Sequence, residues 1–160
     1  MIALRPLSLI ATVLVVGTGL SACSLFGDSG SAGGLAPGLV ARMDQPGANL
    51  DRAQALDIVN HYRATTGAAP LVADATLDST AQSLASQYAA TGTSPKTPPG
   101  ARAIRVSAGY TNFAETFSGW RNSPEDAAVL ADAGAHRAGV ASVYSANSNY
   151  GVYWVMVFAD

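Results

Sequence analysis

Phe113-Ala-Glu-Thr-Phe-Ser-Gly-Trp-Arg-Asn-Ser-Pro124 is the stretch on which the fold turns. Phe113, Phe117 and Trp120 stand at i, i+4 and i+7, which is one face of a helix from about Asn112 to Arg121. Ser123-Pro124 stops that helix and can start a further turn to about Ala131, since Ser caps and Pro suits the first helical position. Three large aromatic side chains in one short helix are the heaviest apolar load in the chain, so other elements are expected to pack on it.

Downstream, Arg137–Tyr144 and Gly151–Phe158 read as strands rich in Val, Tyr, Trp and Phe. The polar run Ser145-Ala-Asn-Ser-Asn-Tyr150 suits a hairpin connection between them. In the last strand Val152, Trp154, Met156 and Phe158 alternate with Tyr153, Val155 and Val157. Both faces are apolar, so this strand should be central and covered by helices. Upstream, Thr93–Gly100 holds Pro95, Pro98, Pro99 and Gly100 and reads as a loop. Ala101–Ala108 can hold a short strand with Ile104 and Val106 on one face. A helix is expected over Asp51–Thr65, capped by Asn49 or Asp51 and ended by Gly67, and a second over Ala75–Ala90, capped by Asp74 and stopped by Gly92. Leu77, Ala81, Leu84, Ala85 and Tyr88 form the apolar stripe of the second. Pro70-Leu71-Val72 is an extended link. The expected class is α+β: an α-β-α sandwich with a small, mainly antiparallel sheet covered by helices.

The 160 residues suit one domain of ordinary size, and 49% apolar against 12% charged residues allow a packed core. The formal charge is −2 with no basic run, which argues against nucleic acid as a partner. Cys23 is the single cysteine, so no intramolecular disulfide can form.

The first 22 residues read as an address. Arg5 precedes the apolar run Leu7–Val16, which is too short for a bilayer crossing and reads as a signal peptide. Leu20-Ser-Ala-Cys23 resembles a bacterial lipobox, which implies cleavage before Cys23 and lipidation of its thiol. Two or three acyl chains would anchor the product stably. Ser24, rather than Asp, follows Cys23, which points to the outer membrane if the cell has one. Residues 23–48 carry six Gly and two Pro between small polar residues and are expected to form a flexible tether, leaving 49–160 as the folded domain.

Leu56-Asp-Ile-Val-Asn-His-Tyr-Arg63, then Gly67 and Pro70-Leu71, resembles the opening helix of bacterial CAP-superfamily domains, the cysteine-rich secretory protein, antigen 5 and pathogenesis-related group also called SCP domains. Ser107-Ala-Gly-Tyr110, Trp120-Arg-Asn-Ser-Pro124, Ala138-Gly-Val-Ala141 and Tyr150–Phe158 resemble later landmarks in the same order. The resemblance implies an α-β-α sandwich. In the best-known members it also implies a cleft with two His and acidic residues able to hold a divalent metal. Aligned on these landmarks, Ile104 stands where the family has Glu, Asp126 where it has its second His, and the loop Thr91–Gly100 contains no His, its nearest candidate being Lys96. Ile cannot coordinate a metal and a protonated Lys repels one.

Other polar residues have structural readings. Asn112-x-x-Glu115 has the spacing of a capping box, and Ser123-x-x-Asp126 has the same spacing at the next helix. His61 lies within the first helix and His136 at a strand entrance. A cleft rebuilt from Glu115, Asp126 and His136 is the alternative, and would make the chain a hydrolase or peptidase. Serine catalysis needs an activated Ser beside a base, and no Gly-x-Ser-x-Gly elbow is present. The expectation is a lipid-anchored domain of the bacterial cell envelope, on the periplasmic side, serving binding or structure. It is expected to have no catalytic, metal or cofactor residues. Its partners would be the membrane, through Cys23, and an envelope protein or an apolar ligand.

Overall fold

In a computed structural model, Gly34–Asp160 are the described residues. The elements in chain order are α1 (Pro37–Val40), α2 (Arg52–Thr66), β1 (Val72–Ala73), α3 (Ala75–Thr91), β2 (Ala103–Ala108), α4 (Phe113–Asn122), α5 (Pro124–Leu130), β3 (Arg137–Tyr144) and β4 (Val152–Ala159). Cap chemistry sets the starts of α2, α3 and α4 and the ends of α2 and α3. The Asp51 carboxylate accepts the Gln54 N–H, Asp74 accepts those of Thr76 and Leu77, and the Asn112 amide oxygen accepts that of Glu115. Gly67 and Gly92 end α2 and α3 in the left-handed region, φ 77° and 67°, where a Cβ is disfavoured.

The strands form one sheet in the order β1-β3-β4-β2. β1 runs parallel to β3, whereas β4 is antiparallel to both β3 and β2. Every residue of β4 is buried, as its two apolar faces require. Val152, Trp154, Met156 and Phe158 enter a large core with Val59 of α2, Phe113, Phe117 and Trp120 of α4, and Leu130 of α5. Val155 and Val157 turn the other way and meet Ala81 and Ala85 of α3, with Ile104 of β2. Helices therefore cover both sheet faces, and the chain has the expected α+β sandwich.

The aromatic helix is the centre of the larger core. Phe113 stands edge-on to Trp120, ring centroids 6.0 Å apart, and tilted against Trp154 at 5.8 Å. Buried indole N–H groups are satisfied by backbone: Trp120 Nε1 donates to the Val106 carbonyl at 3.1 Å, and Trp154 Nε1 to that of Tyr110 at 2.9 Å.

A flexible coil as far as Ala48 is not what the chain forms. Leu39 and Met43 are buried in the large core, and the Met43 N–H donates to the Thr111 carbonyl at 2.8 Å. Two aliphatic side chains and a main-chain bond to the α4 side fix a stretch that its Gly and Pro content marks as loose. The folded body therefore includes residues upstream of 49, and any tether lies outside the described residues.

Candidate functional site

The polar residues that sequence singles out do not share a site. Glu115 Oε2 accepts the Thr111 N–H at 3.1 Å and the Thr111 hydroxyl at 3.2 Å, so it caps the start of α4, one residue further back than a capping box reaches. His136 is exposed at the entrance to β3; its N–H donates to Ala159 O and its own carbonyl accepts the Val72 N–H. His61 is exposed on α2, its Nδ1 2.9 Å from the Asp57 carbonyl oxygen one turn earlier. Among the described residues, no group of three or more His, Cys, Asp or Glu is placed to hold a metal ion. Cys23 lies outside the described residues.

Asp126 corrects one reading. Ser123 makes no side-chain cap at α5, and Asp126 does not serve a capping box. Its Oδ1 instead accepts from Arg105 Nη1 of β2, and the two side chains are 28% and 23% exposed. Strand alternation explains the pairing. Arg105 lies opposite Met156, on the face covered by α2, α4 and α5, whereas Ile104 lies opposite Val157, on the α3 face, and is 7% exposed. The position aligned with the family Glu and the position aligned with its second His thus fall on opposite sides of β2. Lys96, exposed in the loop after α3, lines an open groove of about 530 Å³ with Leu84, Gln87 and Pro98.

These residues do not fit a divalent metal. Ile104 offers no donor atom, and the carboxylate of Asp126 is held by a guanidinium that would repel a second cation.

Two polar residues, Arg63 and Thr116, are fully buried among the described residues, and sequence assigned neither a chemical role. Arg63 of α2 is fully buried and faces carbonyls only. Nε donates to Ala69 O at 2.8 Å, Nη1 to Leu130 O at 2.7 Å and Asp132 O at 3.1 Å, and Nη2 to Ala135 O at 2.9 Å. Burial lowers its pKa, and the nearby charge of Asp132 opposes that shift. The signal was present: Ala55, Val59 and Arg63 are spaced by four, so Arg63 continues the buried stripe of α2. Arg63 ties the end of α2 to the α5–β3 connection and is structural.

The ion pair Arg52–Asp78, 3.7 Å apart, closes the sheet edge. β1 reaches only as far as Ala138 along β3. Beyond it, the Val140 N–H donates to Asp78 Oδ1 at 2.8 Å and the Val140 carbonyl accepts from Arg52 Nε at 2.9 Å. These side chains satisfy an edge that another strand could otherwise extend. They also rim a small cavity of about 110 Å³ walled by Leu56, Gly139 and Met156.

The family model of the cysteine-rich secretory protein family, CAP, matches residues 56–158. The chain belongs to the CAP family. Solved structures agree in fold. The domain superposes on an outer surface protein of Borrelia burgdorferi with a TM-score of 0.54 at 16% identity, covering 65% of this chain and 88% of that one. An extracellular protein of Bacillus anthracis that contains an SCP domain gives a TM-score of 0.57 at 16% identity, covering 68% of this chain and 40% of that one. A cysteine-rich secretory protein of Staphylococcus aureus gives 0.50 at 12% identity, covering 69% and 40%. At these identities the likeness is one of fold. The CAP domain here spans well under half the length of the last two proteins. No curated protein sequence matches the chain. No helix among the described residues is long and apolar enough to cross a membrane.

Proposed function

We propose that this CAP domain is a non-catalytic binding or structural module of the bacterial cell envelope, held at a membrane by lipid on Cys23. One observation carries the first half: the positions where the family places its cleft residues are an aliphatic side chain buried under α3 and a carboxylate locked to Arg105 on the other side of β2. A rebuilt cleft would need Glu115, Asp126 and His136 within reach of one reacting atom. Each instead has a local bond of its own, to Thr111, to Arg105 and, through its main chain, to β1 and β4. The second half is supported by the resemblance of Leu20–Cys23 to a lipobox and by fold relatives described as extracellular or outer-surface proteins.

Metabolic labelling with a fatty-acid analogue tests the anchor. Wild type should be labelled and Cys23→Ser should not; equal labelling removes the anchor. Hydrolysis of a peptide or ester panel that disappears in Asp126→Asn or His136→Ala would restore the enzyme. An apolar-ligand carrier finds less support. A drug-sized apolar ligand needs an apolar site of a few hundred Å³. The apolar-walled cavity at Leu56 and Met156 holds about 110 Å³, and the larger groove at Lys96 is open and lined by Gln87, Thr93, Ser94 and Lys96 as well as apolar groups.

A further inference from the structure

The hairpin that joins β3 to β4 forms a groove of about 390 Å³ against the last turn of α3. Ala89, Thr91, Ser145, Asn147, Asn149 and Tyr153 are among its walls, and none of its lining residues among those described is charged. The turn is braced from within. The Ser148 N–H and hydroxyl both reach Ser145 O, at 3.1 and 2.7 Å, and the Gly151 N–H donates to Ser148 Oγ at 3.1 Å. Ser148 therefore shapes the loop. The exposed amides of Asn147 and Asn149 make no hydrogen bond among the described residues.

An aromatic platform adjoins this groove. Tyr150 is 55% exposed and stands edge-on to Tyr153, centroids 6.2 Å apart, which in turn stands edge-on to Tyr88 of α3 at 4.8 Å. Tyr153 is buried, so the exposed ring is backed by fixed ones. Gly109 underlies it: a Cβ there would lie 3.8 Å from the Tyr150 ring. The solvent side thus offers one exposed ring, packed against Tyr153 of the groove wall, beside uncharged amides and hydroxyls. A charged ligand would find no counter-charge in this lining, and a wholly apolar one would strip water from amides and hydroxyls without replacing it. A ring compound with hydroxyls at its rim and an apolar C–H face matches both parts. Tyr supplies contact area at low entropic cost, while Ser and Asn supply adaptable hydrogen bonds.

We propose that the α3–hairpin groove, with Tyr150 beside it, is a binding site for a neutral oligosaccharide. The proposal rests on the binding-module reading above and names its ligand class; it does not depend on acylation of Cys23. The full chain, held in a polyoxyethylene detergent free of sugar, is titrated calorimetrically with chitotetraose, cellotetraose and maltotetraose, and with acidic tetragalacturonate for contrast. Saturable binding of at least one neutral sugar is expected, with none of the acidic one. Tyr150→Ala should weaken it about tenfold and Asn149→Ala severalfold, whereas Tyr150→Phe keeps it. Melting curves matching wild type would show that the variants remain folded, as exposed positions should allow. Absence of binding by all three neutral sugars overturns the site. So does equal binding of tetragalacturonate, or affinity unchanged in Tyr150→Ala and Asn149→Ala. Any of these leaves the labelling result at Cys23 untouched.

Discussion

At Arg63 a single side chain replaces what several water molecules would otherwise do. Its guanidinium satisfies four carbonyls from three chain segments, with no carboxylate bonded to it among the described residues. Arg63→Met would fit the space but leave those oxygens unpaired in an apolar surround. The loss should be about 3 kcal/mol or more, read as a lower urea midpoint. Arg63→Lys should recover little of it, because one ammonium cannot span the same carbonyls. Gly139 makes the opposite demand. A Cβ there would collide with the backbone of Leu77 and Asp78, where α3 crosses β3. Gly139→Ala must push helix from sheet and should cost about 1–3 kcal/mol, again visible in the urea midpoint. A melting curve equal to wild type would refute that close approach. Sequence marks both residues only weakly: Arg63 by its spacing from Val59, Gly139 by lying inside a strand.

Between elements, carboxylates hold the ends together. The Leu77 N–H first, and the Arg137 guanidinium second, hold the Asp74 carboxyl below the usual range. Arg102 first, and the Gly134 N–H second, do the same for Asp132. Arg102 also reaches Asp160, so these contacts fasten the last strand to the α5–β3 connection. Both acids have folded pKa values depressed below their unfolded ones. Their stabilisation is complete above the ordinary carboxylate range, near pH ~4, and is lost as the pH falls through and below it. Urea midpoints should therefore be level from about pH 5 to 7 as far as these groups decide it, then drop in acid. Asp74→Asn combined with Asp132→Asn should flatten that acid limb; an unchanged limb would assign it to other groups. The pair Arg105–Asp126 belongs to the same scale. It is about a quarter exposed, so a double-mutant cycle should give a coupling of about 1 kcal/mol or less. Caps were legible because they act within three residues, as at Asp51, Asp74 and Asn112. Asp126 was not, because its partner lies 21 residues away and across an element boundary.

For the molecule as a whole, the proposed non-catalytic reading predicts indifference to divalent metals. Melting temperature should not move on adding a chelator, and zinc titration should give no saturable one-to-one binding. Saturable binding that Asp126→Asn abolishes would overturn this. The sequence by itself determined α2 to α5 and β2 to β4, the central burial of β4, and the α-β-α layering. Those follow from apolar period and from caps, which act over a turn or a few residues. Only the tertiary structure decided that Leu39 and Met43 join the core, that Arg63 is interior, and that Ile104 and Asp126 lie on opposite sides of β2. It alone also placed Tyr88, Tyr150 and Tyr153 side by side, from α3 and the β3–β4 hairpin. The reason is physical. Whether a loose or charged segment is buried depends on the surface that distant elements present to it, and no local pattern carries that information.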